Sequence, residues 1–261
     1  MIKIENVDIS GFEAAIRGMR NPMNSWGKSD SSECNGKLGN CGHYSFCDDA
    51  GGFCVGYNDM KLMQSLVKAG SDHSKFMRMI NVTLDITAPL YWWKEFDTYK
   101  VGTVRNSCST MHTIANKVFT LDDFSHEHIL DCYTDDNGVS TEYETWYADD
   151  LMCFTVEMLN YYREKYLETK DKKYWWQIIQ LLPSSYNQRA TVQLNYAVLR
   201  NMYQSRKYHK LDEWKEFCKW IETLPYSELI TYTESKVNTC VCCGEIIPEG
   251  RQVCPKCENG V

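Results

Sequence analysis

No stretch of this sequence stays apolar for the ~18 residues that a bilayer-spanning helix requires. The opening residues, MIKIENVDISGFEAAIRG, lack the apolar core of a secretory signal. A basic excess is also missing. The net charge is −7, which sets aside a general nucleic-acid binder but leaves room for local basic pockets that hold a phosphate. There is no internal repeat and no low-complexity tract. The sequence is therefore expected to be cytoplasmic, folded, and without a membrane partner.

Composition supports a folded chain. Of the 261 residues, 43% are hydrophobic and 24% charged, enough for one large domain, or for one medium domain with small appendages. Thirteen cysteines in a reducing compartment point to metal sites and buried thiols, not to a disulfide framework. Aromatic residues make up 13%, so some rings are available to stack on flat ligands as well as to fill a core.

Periodicity predicts a strand over 2–9 and a helix in SGFEAAIRGMR, with Ser10 as N-cap and Glu13 completing a capping box. An irregular, cysteine-rich segment follows, then a helix from Asn58 to Ala69. MRMINVTLDITAPLYWW alternates and is rich in β-formers, which predicts one long strand, or two broken near Pro89. Trp92 and Trp93 then fall at a strand end, next to a run of charges. Residues 105–120 read as helical and 121–150 as a polar loop with short helices. Further helices are expected over Leu151–Lys170, Tyr174–Leu182, Thr191–Ser205 and Leu211–Thr223.

The strongest motif lies near the C-terminus. CVCCGEIIPEGRQVCPKC places Cys240 and Cys243 in one CxxC, and Cys254 and Cys257 in another, with ten residues between. Each pair spans a tight turn that aims two sulfurs at one point, and two such turns make the tetrahedral Cys₄ site that structural Zn²⁺ favours. Gly244 and Pro255 sit where such turns need them, and Cys242 is a spare thiol. Residues 233–261 are thus read as a zinc ribbon. Cys34, Cys41, Cys47 and Cys54 form a second cluster with gaps of six, five and six residues and no CxxC. This cluster is either a second metal site or a loop with buried thiols.

Residues 1–232, with a cysteine-rich insert at about 31–57, resemble the flavin-dependent thymidylate synthase family. The likeness rests on His73, on Ala88-Pro89-Leu90-Tyr91, and on Leu182-Pro183, Arg189, Asn195, Asn201 and Arg206 at similar spacings. In the family's Arg-His-Arg signature this chain has Thr98-Tyr99-Lys100, followed by Thr103, Arg105, Cys108 and Thr110; Glu95 stands where the family has Gln. A one-residue shift brings Asn106 and Ser109 into register instead.

The resemblance implies an α/β fold, with a mixed sheet and long helices, and a homotetramer with shared active sites. It implies methylation of deoxyuridylate at C5, using methylenetetrahydrofolate, reduced FAD and NADPH. Carried onto this chain, it makes Cys108, Ser109 and Arg206 the candidate catalytic residues. His73, Lys100, Asn195 and Asn201 become candidate flavin ligands, and Glu95, Arg105, Arg189 and Arg206 candidate nucleotide ligands. Trp92, Trp93 and Tyr99 are candidate ring-stacking groups. The altered signature leaves a second reading open, a nucleotide-binding pseudoenzyme that senses or sequesters a pyrimidine nucleotide.

Overall fold

A computed structural model describes residues 2–33, 53–130 and 148–232, together with 240, 242–243, 245 and 254–258. Strand β1 (Lys3–Ser10) leads into helix α1 (Phe12–Arg20). The short strands β2 (Ser32–Glu33) and β3 (Phe53–Cys54) pair at the base of the cysteine-rich insert, and α2 (Tyr57–Lys68) follows. The centre of the chain holds β4 (Asn81–Pro89), α3 (Leu90–Phe96), β5 (Val104–Ser107) and the single turn α4 (Thr110–Thr113). A long helical hairpin, α5 (Ala148–Thr169) and α6 (Lys172–Leu181), precedes β6 (Asn187–Asn195). Then come α7 (Tyr196–Arg206), α8 (Asp212–Glu222), α9 (Glu228–Thr231) and, in the cysteine-rich tail, α10 (Pro255–Glu258).

The main sheet has the order β1-β4-β6-β5. Every pairing in it is antiparallel, so the α/β mixture is one of helices with an antiparallel sheet rather than of strand directions. One face is core. Val82, Leu84, Ile86 and Ala88 of β4 and Ala190, Val192 and Leu194 of β6 are buried. They pack with Ala15 and Ile16 of α1, Trp92, Trp93 and Phe96 of α3, Leu199 of α7 and Trp214 and Phe217 of α8. Each fully buried Val, Leu, Ile or Phe side chain contributes roughly 1.5–3 kcal/mol of transfer free energy. The opposite face is polar and carries Asp85, Arg189 and Thr191. A smaller core, around Phe119, Phe124, Leu159 and Ile178, joins the α5–α6 hairpin to the loop before it.

Several sequence expectations are corrected. The N-cap of α1 is Gly11, not Ser10, and no side chain caps the helix. Gly11 has φ +95°, and a Cβ there would lie 2.0 Å from the Met79 carbonyl oxygen, so the close crossing of two backbones decides the cap. Trp92 and Trp93 are not at a strand end. Pro89 closes β4 and α3 starts at once, its first amides donating to the carbonyls of Tyr186 and Ser184. Both indoles are buried, so neither stacks on a ligand. Residues 105–120 open with β5 rather than a helix. The helix expected over Thr191–Ser205 is a strand up to Asn195 and a helix only from Tyr196. Cys34, Cys41 and Cys47 lie outside the described residues.

Candidate functional site

Three of the arginines singled out in the sequence are each held by a carboxylate. Arg206, at the end of α7, donates from Nη1 to Glu95 Oε2 at 2.6 Å and from Nε to Tyr99 OH at 2.9 Å. Arg105, on β5, donates from Nη1 to Asp97 Oδ2 at 2.6 Å and from Nη2 to the side-chain oxygen of Gln188. Arg189, on β6, donates from Nη2 to Asp85 Oδ2 at 2.7 Å. The alternation of β4, β5 and β6 explains the placement. Arg105 and Gln188 point to the core face, whereas Arg189 opposes Thr87 on the polar face, one step along the ladder from Asp85.

Asp85 is the hub of that polar face. Thr191 donates to its Oδ1 at 2.5 Å, and Asn6 and Arg189 donate to its Oδ2. Asn6 reaches it because β1 bulges between Glu5 and Asp8, with Asn6 at φ 51°. The Thr191 hydroxyl, then Asn6 and Arg189, hold the Asp85 carboxyl well below the usual carboxylate range.

Cys108 and Ser109 lie beside this ladder. The Cys108 amide donates to the Arg189 carbonyl at 2.9 Å, and its carbonyl accepts from Gln188 Nε2 at 2.7 Å. The Cys108 thiol is exposed. Ser109 is the N-cap of α4, its Oγ accepting from the His112 amide at 3.1 Å.

The expected flavin ligands are more scattered. Asn195 caps α7, its Oδ1 accepting from the Val198 amide at 3.1 Å. Its Nδ2 lies 2.9 Å from where a Cβ on Gly102 would sit, so the turn at Gly102 (φ +79°) passes directly over this amide. Lys100 precedes that turn. His73 is in the turn after α2 and Asn201 on the outer face of α7, and both are exposed. Among the described residues no side-chain partner takes Lys100, His73 or Asn201. An ammonium, an imidazole and a carboxamide left unspent are the donor types that a flavin's phosphates and ring edges require. The buried Thr103 Oγ1, Arg105 Nε and Asn187 Oδ1, on or beside β5 and β6, are without partners in the described chain.

Gln188, Asp85, Asp97, His209 and Trp214 were not singled out in the sequence. Alternation in NQRATVQLN was the available signal for Gln188; nothing local marks His209, or Trp214 on α8, as neighbours of the Arg206–Glu95 pair. Tyr91, part of the family-like tetrapeptide, donates to the buried Glu213 and lies 3.0 Å from Ser125 Oγ. Burial first, and then Glu213, push the Tyr91 phenol up to about 12. A cleft of about 450 Å³ between α1 and the base of the insert is lined by Arg17, Arg20, Trp26 and Ser29 among others, and holds none of the expected site residues.

In the tail, the sulfurs of Cys240, Cys243, Cys254 and Cys257 all lie within 4.8 Å of one another. Four thiolates at ~2.3 Å from one tetrahedral ion are ~3.8 Å apart, so the cluster fits a zinc-sized cation. The Cys254 amide donates to Cys240 Sγ at 3.3 Å and the Cys257 amide to Cys254 Sγ at 3.4 Å. The Cys254 amide also holds the Cys240 thiol below its ordinary value, toward the thiolate that a metal binds.

Most of the fold matches a solved one: thymidylate synthase X from Helicobacter pylori, solved with FAD and dUMP, superposes with a TM-score of 0.58 at 15% identity, over 89% of this chain and 97% of that one. The fold is that of the flavin-dependent thymidylate synthases. The UMP/dUMP methylase PolB from Streptomyces cacaoi, solved with 5-Br UMP, shares it with a TM-score of 0.53 at 14% identity, over 88% and 94% of the two chains. No family model and no curated protein sequence matches this chain. Among the described residues no helix is long and apolar enough to cross a membrane.

Proposed function

We propose that the protein is a divergent flavin-dependent thymidylate synthase that methylates deoxyuridylate at C5. The observation that carries this reading is the extent of the fold match, 89% of this chain; the candidate residues Arg189, Asn195, Asn201 and Arg206 lie on β6 and α7. The substrate would be held through Arg105, Arg189 and Arg206, whose guanidinium forks suit phosphate and carbonyl oxygens. His73, Lys100, Asn195 and Asn201 would hold the flavin. When bound, reduced FAD supplies the hydride and relays the one-carbon unit from methylenetetrahydrofolate, with NADPH as the source of reducing equivalents. Cys108 and Ser109 would face the uracil ring from the strand edge beside Arg189.

The zinc ribbon is assigned a structural role, because a closed Cys₄ set leaves no open coordination position. A cytoplasmic location suits its reduced thiols, and a homotetramer is the expected assembly.

A specific feature favours the second reading. Arg105, Arg189 and Arg206 are each neutralised by Asp97, Asp85 and Glu95, so the cationic field available to a nucleotide phosphate is reduced. A pseudoenzyme that binds a pyrimidine nucleotide without methylating it would tolerate this.

The absorption spectrum of the purified protein, before and after FAD addition and gel filtration, separates the two. Retained flavin bands support the synthase. A colourless protein that still binds nucleotide supports the pseudoenzyme and ends the synthase reading.

A further inference from the structure

The carboxylate of Glu95 is where α3, α7 and α8 meet. Its Oε2 takes Arg206 Nη1 at 2.6 Å and Trp214 Nε1 at 3.0 Å, and His209 Nε2 lies 3.3 Å away. One oxygen that meets a guanidinium, an indole N–H and an imidazole is held in place by three elements at once. His209 is itself oriented, because its Nδ1 accepts from the Leu211 amide at 3.2 Å. Trp214 is fully buried against Trp92 and Phe217.

The guanidinium is fixed on its other sides as well. Nε donates to Tyr99 OH, and the group lies 5.0 Å from the Trp214 ring centroid and 5.6 Å from that of Tyr99. Nε and Nη1 are therefore committed inside the protein. Among the described residues nothing takes Nη2 of Arg206 or Oε1 of Glu95. The Arg206 side chain keeps 20% of its surface exposed, so the uncommitted edge is the one that a ligand can meet.

We propose that Glu95, His209 and Trp214 are positioning residues that set Arg206 so that its Nη2 edge meets an acceptor oxygen of a bound uridine nucleotide. The inference rests on the nucleotide reading above. It moves Glu95 from substrate contact to support, and it adds two residues from outside the family-like pattern. Presetting a long side chain removes the rotamer loss that binding would otherwise incur. A ligand contact made by one spare edge also explains why the Arg206–Glu95 ion pair need not break when ligand arrives.

Two measurements on the full chain test this. The first needs no nucleotide: hydrogen exchange at Arg206 Nε, followed by nitrogen-15 NMR. Slow exchange is expected in the wild type, and exchange at least roughly tenfold faster in Glu95→Gln and in His209→Gln. The second is calorimetric titration with dUMP and UMP. Glu95→Gln and Arg206→Lys should each weaken binding about tenfold, and the double variant should be no weaker than Arg206→Lys alone.

Unchanged exchange in both single variants overturns the positioning shell. Additive losses in the double variant overturn it too, because Glu95 would then act on the ligand independently. A wild type that binds neither nucleotide overturns the functional reading, and the exchange data then decide the shell by themselves.

Discussion

The guanidinium of Arg105 lies 3.9 Å from the centroid of the Trp93 ring, while the same indole donates from Nε1 to the Gln188 carbonyl at 2.9 Å. A cation from β5, a ring from α3 and a backbone group from β6 are thus tied in one stack beneath the sheet edge. Arg105→Lys keeps the charge but loses the fork to Asp97 and Gln188 and most of the stacking. It should destabilise the fold by about 1–2 kcal/mol, read as a lower urea midpoint at constant slope. An unchanged midpoint would show that the stack does not hold β5 to the sheet.

A buried ion pair ties α1 to α2. Arg20 and Asp59 are 4% and 0% exposed and meet at 2.6 Å. Asp59 also accepts from the hydroxyls of Ser29 and Ser31 at 2.6 Å each. Burial pushes its carboxyl up, but Ser29, Ser31 and Arg20 outweigh that and leave it below the usual value. Asp59→Ala strands the Arg20 charge and should cost about 3–5 kcal/mol, measured by denaturant unfolding. A loss under 1 kcal/mol would contradict the assigned pairing.

The polar face of the sheet predicts an acid limit. The Asp85 carboxyl is lowered in the folded state, and its unfolded value is ~3.9. Its contribution is then fully present above about pH 5 and is lost as pH falls through ~4 toward the folded value. Asp85→Asn should flatten the stability-versus-pH curve on the acid side of pH 4 and leave the slope near pH 7 untouched. An identical acid slope in wild type and variant would remove Asp85 from the account.

The helix-forming segments were more legible than the strands. The expected helix over Asn58–Ala69 appears as Tyr57–Lys68, because its apolar residues repeat at helical spacing and Gly70 stops it. The strand nature of Asn187–Asn195 was hidden. Its inward positions, Gln188, Ala190, Val192 and Leu194, do alternate, but the run continues without a break into the helical pattern of α7, and the polar Gln188 is held inward by Arg105 and the Trp93 indole. YWW reads as strand by propensity, but Pro89 and the carbonyls of Ser184 and Tyr186 start a helix there, which is tertiary context overriding local preference. At the site, the arginines were visible as residue types, whereas their carboxylate partners lie 8 to 111 positions away in the chain.

The tail predicts a metal. Purified protein should carry about one zinc per chain, released by a chelator and lost in Cys254→Ser. Two zincs per chain would bring Cys34, Cys41, Cys47 and Cys54 back as ligands. No zinc in protein refolded with excess metal would contradict the Cys₄ assignment.

The central claim concerns C5 of deoxyuridylate, and replacing its hydrogen is the event to follow. With FAD, NADPH and methylenetetrahydrofolate supplied, the account predicts release of tritium from C5-labelled dUMP, with matching formation of dTMP, and a loss of roughly 10²-fold or more in Arg206→Ala. Protein that retains flavin and binds dUMP, yet releases no tritium beyond the background, would contradict it.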